Sequence, residues 1–311
     1  MEAHAIVINE PQHVSLNKLH IDHLGQDDVA VEMEYSGIST GTEKLIWSGK
    51  MPQFPGMGYP LVPGYESVGR VIHVGENAPL KIGQQVFVPG AKCYGEVRGL
   101  FGGASSHVVI PHHRLTLLDD ALGKEGILLA LAATAYHVTE GKAQAQPDLI
   151  VGHGVVGRLL ARIALAKGKV PVVWETNPIR MSGAIGYQVI QPEDDDFHQY
   201  GMICDASGDA ALINTLVGRL RPQGEIVLAG FYDQPISYHF APAFMREMKM
   251  RIAAQWQPKD IEEVHQMIRD KQLSLADLIT HESSPSDADW AYQTAFHDMH
   301  CLKMTLNWRT A

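Results

Sequence analysis

The sequence predicts an α/β chain of two domains, one a parallel sheet flanked by helices and the other rich in β-strands. Three observations predict it. Asp148 to Ala161 runs from a short apolar stretch, through glycines spaced G-x-G-x-x-G, into a helical pattern with Val155, Leu159, Ile163 and Ala166 on one face. Further strand signals follow, with a helical one between them. Residues 1 to about 115 instead carry alternating, β-branched stretches cut by glycine and proline.

In the first region, Ala3–Ile8 and Val29–Tyr35 read as strands, as do Leu61–Val74, Gln85–Val88 and His107–Ile110. Gly37, Gly41, Gly49, Pro52, Pro55, Gly56, Gly58, Pro60, Pro63 and Gly64 punctuate them and predict long loops. Near residue 115 the pattern changes. Gly123 to Gly141 is apolar and helical, with Ile127, Leu128, Leu129, Leu131 and Ala135. The parallel-sheet domain spans 116–256, with strands at Asp148–Val151, Lys169–Glu175, Met202–Asp205 and Glu225–Gly230, and a helix from Ala210 to Leu220. Pro258 opens a helix with Ile261, Val264 and Ile268 inside. Leu278–His281 reads as a strand, Asp287–Met299 as a helix carrying Trp290, Ala291 and Phe296, and Leu302–Trp308 as a last strand. This tail rejoins the first region, so the β-rich domain is expected over 1–115 and 257–311.

The whole chain narrows the function classes. Its 311 residues suffice for two domains, and 45% apolar with 19% charged residues is ordinary for a globular protein. A formal net charge of −10 without a basic block argues against nucleic acid or an anionic membrane as partner. Cys93, Cys204 and Cys301 are far apart and offer neither a C-x-x-C metal site nor a disulfide framework, which suits the reducing cytoplasm. Met1-Glu2-Ala3-His4 lacks a basic leader, and no stretch approaches a membrane span. The acidic run Glu193–Asp196 reads as a solvated loop.

Strand, glycine turn and helix start together form the context of a Rossmann dinucleotide fingerprint. Gly152 suits the turn, Gly154 lets main chain approach a pyrophosphate, and Gly157 lets the helix pack on the strand. Unpaired N–H groups at the helix start attract phosphate. His153, Val155 and Val156 fill the loop and complete its candidate contacts. Glu175 ends the next strand about 20 residues on, where a carboxylate accepts from ribose hydroxyls. It repels a 2′-phosphate and so favours NAD over NADP, while nearby Arg180 weighs the other way. Ser207, just past the strand Met202–Asp205, is a further candidate.

The arrangement resembles the medium-chain dehydrogenase/reductase family over nearly the whole chain. That resemblance implies a GroES-like catalytic domain beside the Rossmann domain. Ser36-Gly37-Ile38-Ser39 stands where zinc-dependent members have a glycine, an apolar residue and a cysteine. Pro63-Gly64-Tyr65-Glu66-Ser67-Val68-Gly69-Arg70-Val71 stands where they have Gly-His-Glu and a following Gly-x-Val. Ala130-Leu131-Ala132-Ala133-Thr134-Ala135-Tyr136 stands where they have a third ligand, a cysteine. Ser39, Tyr65 and Ala130 thus replace the ligands of a catalytic zinc. The cysteine lobe that binds structural zinc is absent too. No metal is expected.

Longer stretches resemble one branch of the family: Ser39-Thr40-Gly41-Thr42-Glu43, Trp47–Pro52, Phe54–Gly69 and Phe87–Ala104. That branch is the bacteriochlorophyllide a dehydrogenases of bacteriochlorophyll biosynthesis. The resemblance implies NAD-dependent oxidation of a 1-hydroxyethyl group on a chlorin ring to acetyl. Two other readings stay open: a zinc-free quinone or enone reductase, and a non-catalytic NADH- or pigment-binding protein. A homodimer through Met250–Gln255 rests on the same analogy.

Without a metal, protein oxygens must manage the alcohol's proton. The candidates are Tyr65, Glu66, Ser39 and Thr40, with Thr42 and Glu43 beside them. Tyr65 relays the proton if its pKa is lowered, or else is a core tyrosine bonded to main chain. Glu66 is a base, or else a structural acid paired with an arginine. Ser39 and Thr40 extend a hydroxyl chain, or else satisfy the turn. Trp47, Met51, Phe54, Met57 and Tyr59 suit the wall of a flat, polarizable ligand as well as ordinary packing. Lys50, Lys92 and Arg98 are either surface charges or partners for a substrate carboxylate. His107, His112, His113 and His137 are either structural or within reach of a chlorin magnesium, and none is assigned as a ligand.

Overall fold

The β-rich half opens on Glu2–Glu10 (β1), His13–His20 (β2) and Asp28–Ile38 (β3), followed by the helix Thr42–Ser48 (α1). Leu61–Val62 (β4), Ser67–Val74 (β5), Gln85–Val88 (β6), Arg98–Gly99 (β7), His107–Pro111 (β8) and Thr116–Leu117 (β9) follow. The computed structural model describes residues 1–139, 146–253 and 255–310. It divides into two compact units, Met1–Ala130 with Ala276–Ala311, and Leu131–Leu275.

The first unit holds two sheets. One runs β2-β1-β4-β7. The other is centred on β3, which pairs antiparallel with β5, β8 and the late strand Met304–Asn307. Ile6, Ile8, Val31, Ile46, Leu61 and Met304 belong to an apolar core of this unit. The expected strand Leu61–Val74 is broken. β4 belongs to one sheet and β5 to the other, and Pro63-Gly64-Tyr65-Glu66 carries the chain across. Gly64 takes φ +98° there, and a Cβ would meet Ala104 N at 2.8 Å, so the crossing needs glycine.

The second unit begins in Leu129–Thr139 (α2) and contains Leu149–Val151 (β10), Val155–Ala166 (α3), Val172–Trp174 (β11), Gln188–Ile190 (β12) and Tyr200–Asp205 (β13). Ile213–Arg219 (α4), Leu220–Leu228 (β14), Phe240–Met245 (α5), Lys249–Ile252 (β15) and Pro258–Arg269 (α6) follow. Its six strands are parallel, in the order β12-β11-β10-β13-β14-β15. The order reverses between β10 and β13, the position where open α/β sheets take ligands beyond their strand ends. The tail then adds His281–Ser283 (β16), Ala288–His297 (α7) and Met304–Asn307 (β17) to the first unit.

Several expectations shift. Helix α1 forms where the sequence read as loop; Gly49 closes it at φ +74°. The helix expected over Gly123–Gly141 is a 3₁₀ segment, Asp120–Leu128, running into α2, and its last two residues lie outside the described ones. The C-terminal segment rejoins the first unit from 276 rather than 257, because α6 packs on the second. His137 Nδ1 lies 2.8 Å from the buried Asp260 carboxylate, and Arg162 donates to Ser274 O at 2.8 Å.

Candidate active site

In the first unit, two chain breaks meet. β3 ends at Ile38, leaving Ser39 between strand and α1, and the Gly37 N–H donates to Glu66 O at 2.7 Å. That bond sets the Ser39 turn beside the Tyr65 turn. The Ser39 and Tyr65 hydroxyls lie 2.8 Å apart, and the Tyr65 ring meets Phe101 edge-on at 5.4 Å. Burial, then the Glu66 charge, push the Tyr65 phenol up; the Ser39 and Thr42 side chains bonded to it oppose this only in part. The condition of a lowered Tyr65 pKa is therefore not met. Tyr65 is a neutral phenol that can donate and accept, not a phenolate base.

Glu66 is fully buried against Lys303, itself 1% exposed. Lys303 also donates to Ile38 O at 3.0 Å. The expected arginine partner is thus a lysine supplied by the tail. Burial pushes the Glu66 carboxyl up and Lys303 opposes it. Gly37 leaves room for this pair, since a Cβ there would stand 2.7 Å from Glu66 Oε2 and 2.9 Å from Lys303 Cε. Thr40 is exposed and stands outside the bonded set.

Behind Ser39 lies Glu43, fully buried. One carboxylate oxygen accepts the Ser39 N–H at 3.2 Å, and the other accepts the Tyr292 hydroxyl at 2.9 Å. Burial, and next the like charge of Glu66, push Glu43 up to about 7. Tyr292 and Lys303 were not singled out in the sequence. Both sit far along the chain, and only a lysine flanked by Leu302 and Met304 in an apolar strand hinted at a buried charge.

The aromatic loop divides. Trp47 and Met51 join the core, and Trp47 packs on Phe296 at 5.3 Å. Phe54 is 40% exposed, while Met57 and Tyr59 are half-buried. Arg98 donates to Tyr59 O at 3.3 Å. Ala130, at the third former ligand position, is fully buried. Among the described residues no three His, Cys, Asp or Glu side chains gather into a metal-binding group.

In the second unit, Gly152 turns the chain after β10 at φ +95°, with Ala206 and Ser207 beside it. A Cβ on Gly157 would stand 1.8 Å from Gly152 O, so the helix can pack this closely only on glycine. Gly154 differs: a Cβ there would meet nothing within 4 Å. It begins α3 without a side-chain cap. Open space in front of an uncapped helix start fits a pyrophosphate.

Glu175 takes the His153 N–H on one oxygen at 3.0 Å and the Asn177 N–H on the other at 2.8 Å. These bonds fix the carboxylate beside the glycine turn and leave lone pairs for hydroxyl donors. The His153 ring is buried between Arg180 O, 2.6 Å from Nδ1, and the Tyr187 hydroxyl, 2.7 Å from Nε2. A carbonyl only accepts, so Nδ1 carries the proton and Nε2 accepts from Tyr187. Burial brings this imidazole down to about 4. His153 is therefore committed to positioning Glu175 and Arg180. Arg158, missed in the sequence, adds bonds to His153 O, Arg180 O and Ser182 O at 3.1, 3.2 and 2.8 Å. Val155 is buried, Val156 half-buried and Ser207 exposed. The Ser207 hydroxyl donates to Asp205 at 2.6 Å.

Comparison with known proteins places this architecture. The alcohol dehydrogenase GroES-like domain family matches residues 25–120. The chain is 53% identical to the 2-desacetyl-2-hydroxyethyl bacteriochlorophyllide A dehydrogenase of Rhodobacter capsulatus, covering 100% of both. It is 50% identical to the protein of the same name from Cereibacter sphaeroides, covering 99% of both. Among solved structures, a short chain alcohol dehydrogenase of Escherichia coli CFT073 complexed with NADH matches at TM-score 0.83 and 21% identity, covering 98% of this chain and 99% of that one. The 2R,3R-butanediol dehydrogenase of Bacillus subtilis matches at 0.84 and 19%, with the same coverage. The solved structures share the fold, and the full-length relatives share the sequence. The family and fold class expected from the sequence are borne out: the chain belongs to the medium-chain dehydrogenase/reductase family and is an oxidoreductase acting on CH–OH.

Proposed function

We propose that this enzyme oxidises the 1-hydroxyethyl group of a bacteriochlorophyllide to acetyl, with NAD as acceptor and without zinc. The observation that carries the metal-free reading is the Ser39–Tyr65 hydroxyl pair, 2.8 Å apart, at two former ligand positions. A serine hydroxyl, a neutral phenol and the methyl of Ala130 do not form a zinc ligand set. The substrate follows from the full-length relatives named for it.

Bound NAD supplies the hydride acceptor. Gly152, Gly154, Gly157 and Glu175 would hold it, and Glu175 disfavours a 2′-phosphate. Ser39 and Tyr65 orient the substrate hydroxyl by donating to and accepting from it. The substrate eases this work, because charge developing on the carbinol carbon spreads into the conjugated ring. Phe54, exposed, and Met57, half-buried, suit the flat face of that ring.

A homodimer belongs to the same reading. β15 is the sheet's edge, and Phe240, Met245 and Ile252 are each more than 70% exposed on or near it. Ala254, within the expected contact Met250–Gln255, lies outside the described residues. A cytoplasmic location also fits: among the described residues no helix is long and apolar enough to cross a membrane.

The test is incubation of the purified protein with NAD or NADP and a hydroxyethyl chlorin, following the absorption change as acetyl joins the ring, with metal analysis alongside. Turnover with NAD in metal-free protein is expected. Stoichiometric zinc, or turnover restricted to an enone, overturns the reading.

A further inference from the structure

Glu43 opens the first turn of α1 and has no access to solvent. Its carboxylate links two groups that arrive from distant parts of the chain. It takes the Ser39 N–H on one side and the Tyr292 hydroxyl on the other. Ser39 in turn meets the Tyr65 hydroxyl. The four residues form one continuous set, Tyr292–Glu43–Ser39–Tyr65, ending at the place where the alcohol is read to bind.

Among the described residues, the groups around Glu43 are few. Glu66 and Lys303 face it as a buried ion pair, and Tyr292 comes from α7. Tyr65 comes from the crossing between the sheets. On its own helix, Lys44 is turned to Phe296 O at 3.1 Å. At the end of α7, His297 lies against Trp47. One ammonium thus serves two buried carboxyls, and Lys303 is already paired with Glu66.

We infer that Glu43 is a positioning residue for the alcohol oxidation: as a carboxylate it anchors Ser39 and, through the Ser39 hydroxyl, holds Tyr65 where the substrate hydroxyl is met. This rests on the reading of Ser39 and Tyr65 as the alcohol site. A carboxylate accepts on both oxygens, so it satisfies Ser39 and Tyr292 together. Protonation on the Tyr292 side reverses that bond and leaves the Ser39 N–H only a neutral carbonyl oxygen, a weaker acceptor than a carboxylate. The negative charge also favours loss of hydride from the carbinol carbon, where positive charge develops. Burial places this switch near neutral pH.

The experiment is the pH profile of kcat/KM for oxidation of a hydroxyethyl chlorin, with NADH affinity measured on each protein. The unaltered enzyme should lose activity as pH falls through about 7. Tyr292→Phe removes a donor that stabilises the carboxylate, so its acid limb should move to higher pH by about one unit. Glu43→Gln cannot ionise, so the limb should disappear and kcat/KM should lie about ten- to a hundredfold lower at alkaline pH. NADH affinity should hold in both. If Glu43→Gln does not fold, Tyr292→Phe decides alone. An acid limb unmoved in Tyr292→Phe, or retained in Glu43→Gln, overturns the inference while the substrate reading stands. An unaltered enzyme that turns over no hydroxyethyl chlorin overturns both.

Discussion

The proposed nucleotide cradle is assembled from close neighbours in the chain: the Gly152–Gly157 turn, Glu175 on the next strand, and the Arg180–Tyr187 segment that His153 and Arg158 tie down. The proposed alcohol site draws on the end of β3, the crossing before β5, helix α7 and the last strand. In the cradle, polar groups are satisfied mostly by main chain. Around Ser39 and Tyr65, the buried carboxyls Glu43 and Glu66 draw on Tyr292 and Lys303, side chains from far along the chain, and they keep charge inside the protein. The lesson is one of tolerance. A site built on main-chain geometry fails through shape, and a site built on buried charges fails through electrostatics.

Four changes would break or sharpen that contrast. Tyr65→Phe should cause the largest loss, about 10²–10⁴-fold in kcat, because the substrate hydroxyl loses its partner. NADH affinity, followed by fluorescence titration, should be unchanged, and unchanged turnover would remove Tyr65 from the chemistry. Lys303→Met leaves Glu66 buried without a counter-ion, which costs about 3–5 kcal/mol by denaturant unfolding. Combining it with Glu66→Gln should recover most of that loss; a double variant as unstable as the single one would show that packing, not charge, is at stake.

The cradle should respond to acid through His153. Its folded value of about 4 lies below the ordinary value of 6.5, so the unfolded chain binds the proton more readily. Stability from this group is complete above pH 6.5 and is lost as pH falls from 6.5 toward 4. At about 1.4 kcal/mol per pH unit, the full loss is about 3 kcal/mol. Unfolding measured across that window should show the slope, and His153→Gln should flatten it. The smallest effect falls on one glycine. Gly154→Val should leave the melting temperature in place while weakening NADH binding about tenfold, about 1.4 kcal/mol. The side chain would occupy open space where phosphate is expected, so unaltered binding would place the cofactor elsewhere.

How much of this was readable in the chain follows the same division. The cradle's Gly152, Gly154, Gly157 and Glu175 were legible because a turn, a helix start and a strand end are local events with local residue preferences. Ser39 and Tyr65 were legible through family spacing, and the structure joins them. Their supports were not. Nothing near Glu66 in sequence announces Lys303, and nothing near Glu43 announces Tyr292, because both pairings depend on how the tail returns to β3. Helix α1 was missed because Gly41 and Gly49, which bound it, read as loop punctuation. The structure divides the tail at 276, and α6 carries an ordinary amphipathic pattern that does not say which unit it covers.

Lys303 also sets an order of events during synthesis. Glu66 leaves the ribosome long before the lysine that neutralises it is made. Until then the carboxyl is better hydrated than packed, so the crossing that carries Tyr65 has reason to stay open on the nascent chain. The dehydrogenase thus completes its proposed alcohol site only once residues beyond 300 have docked on β3.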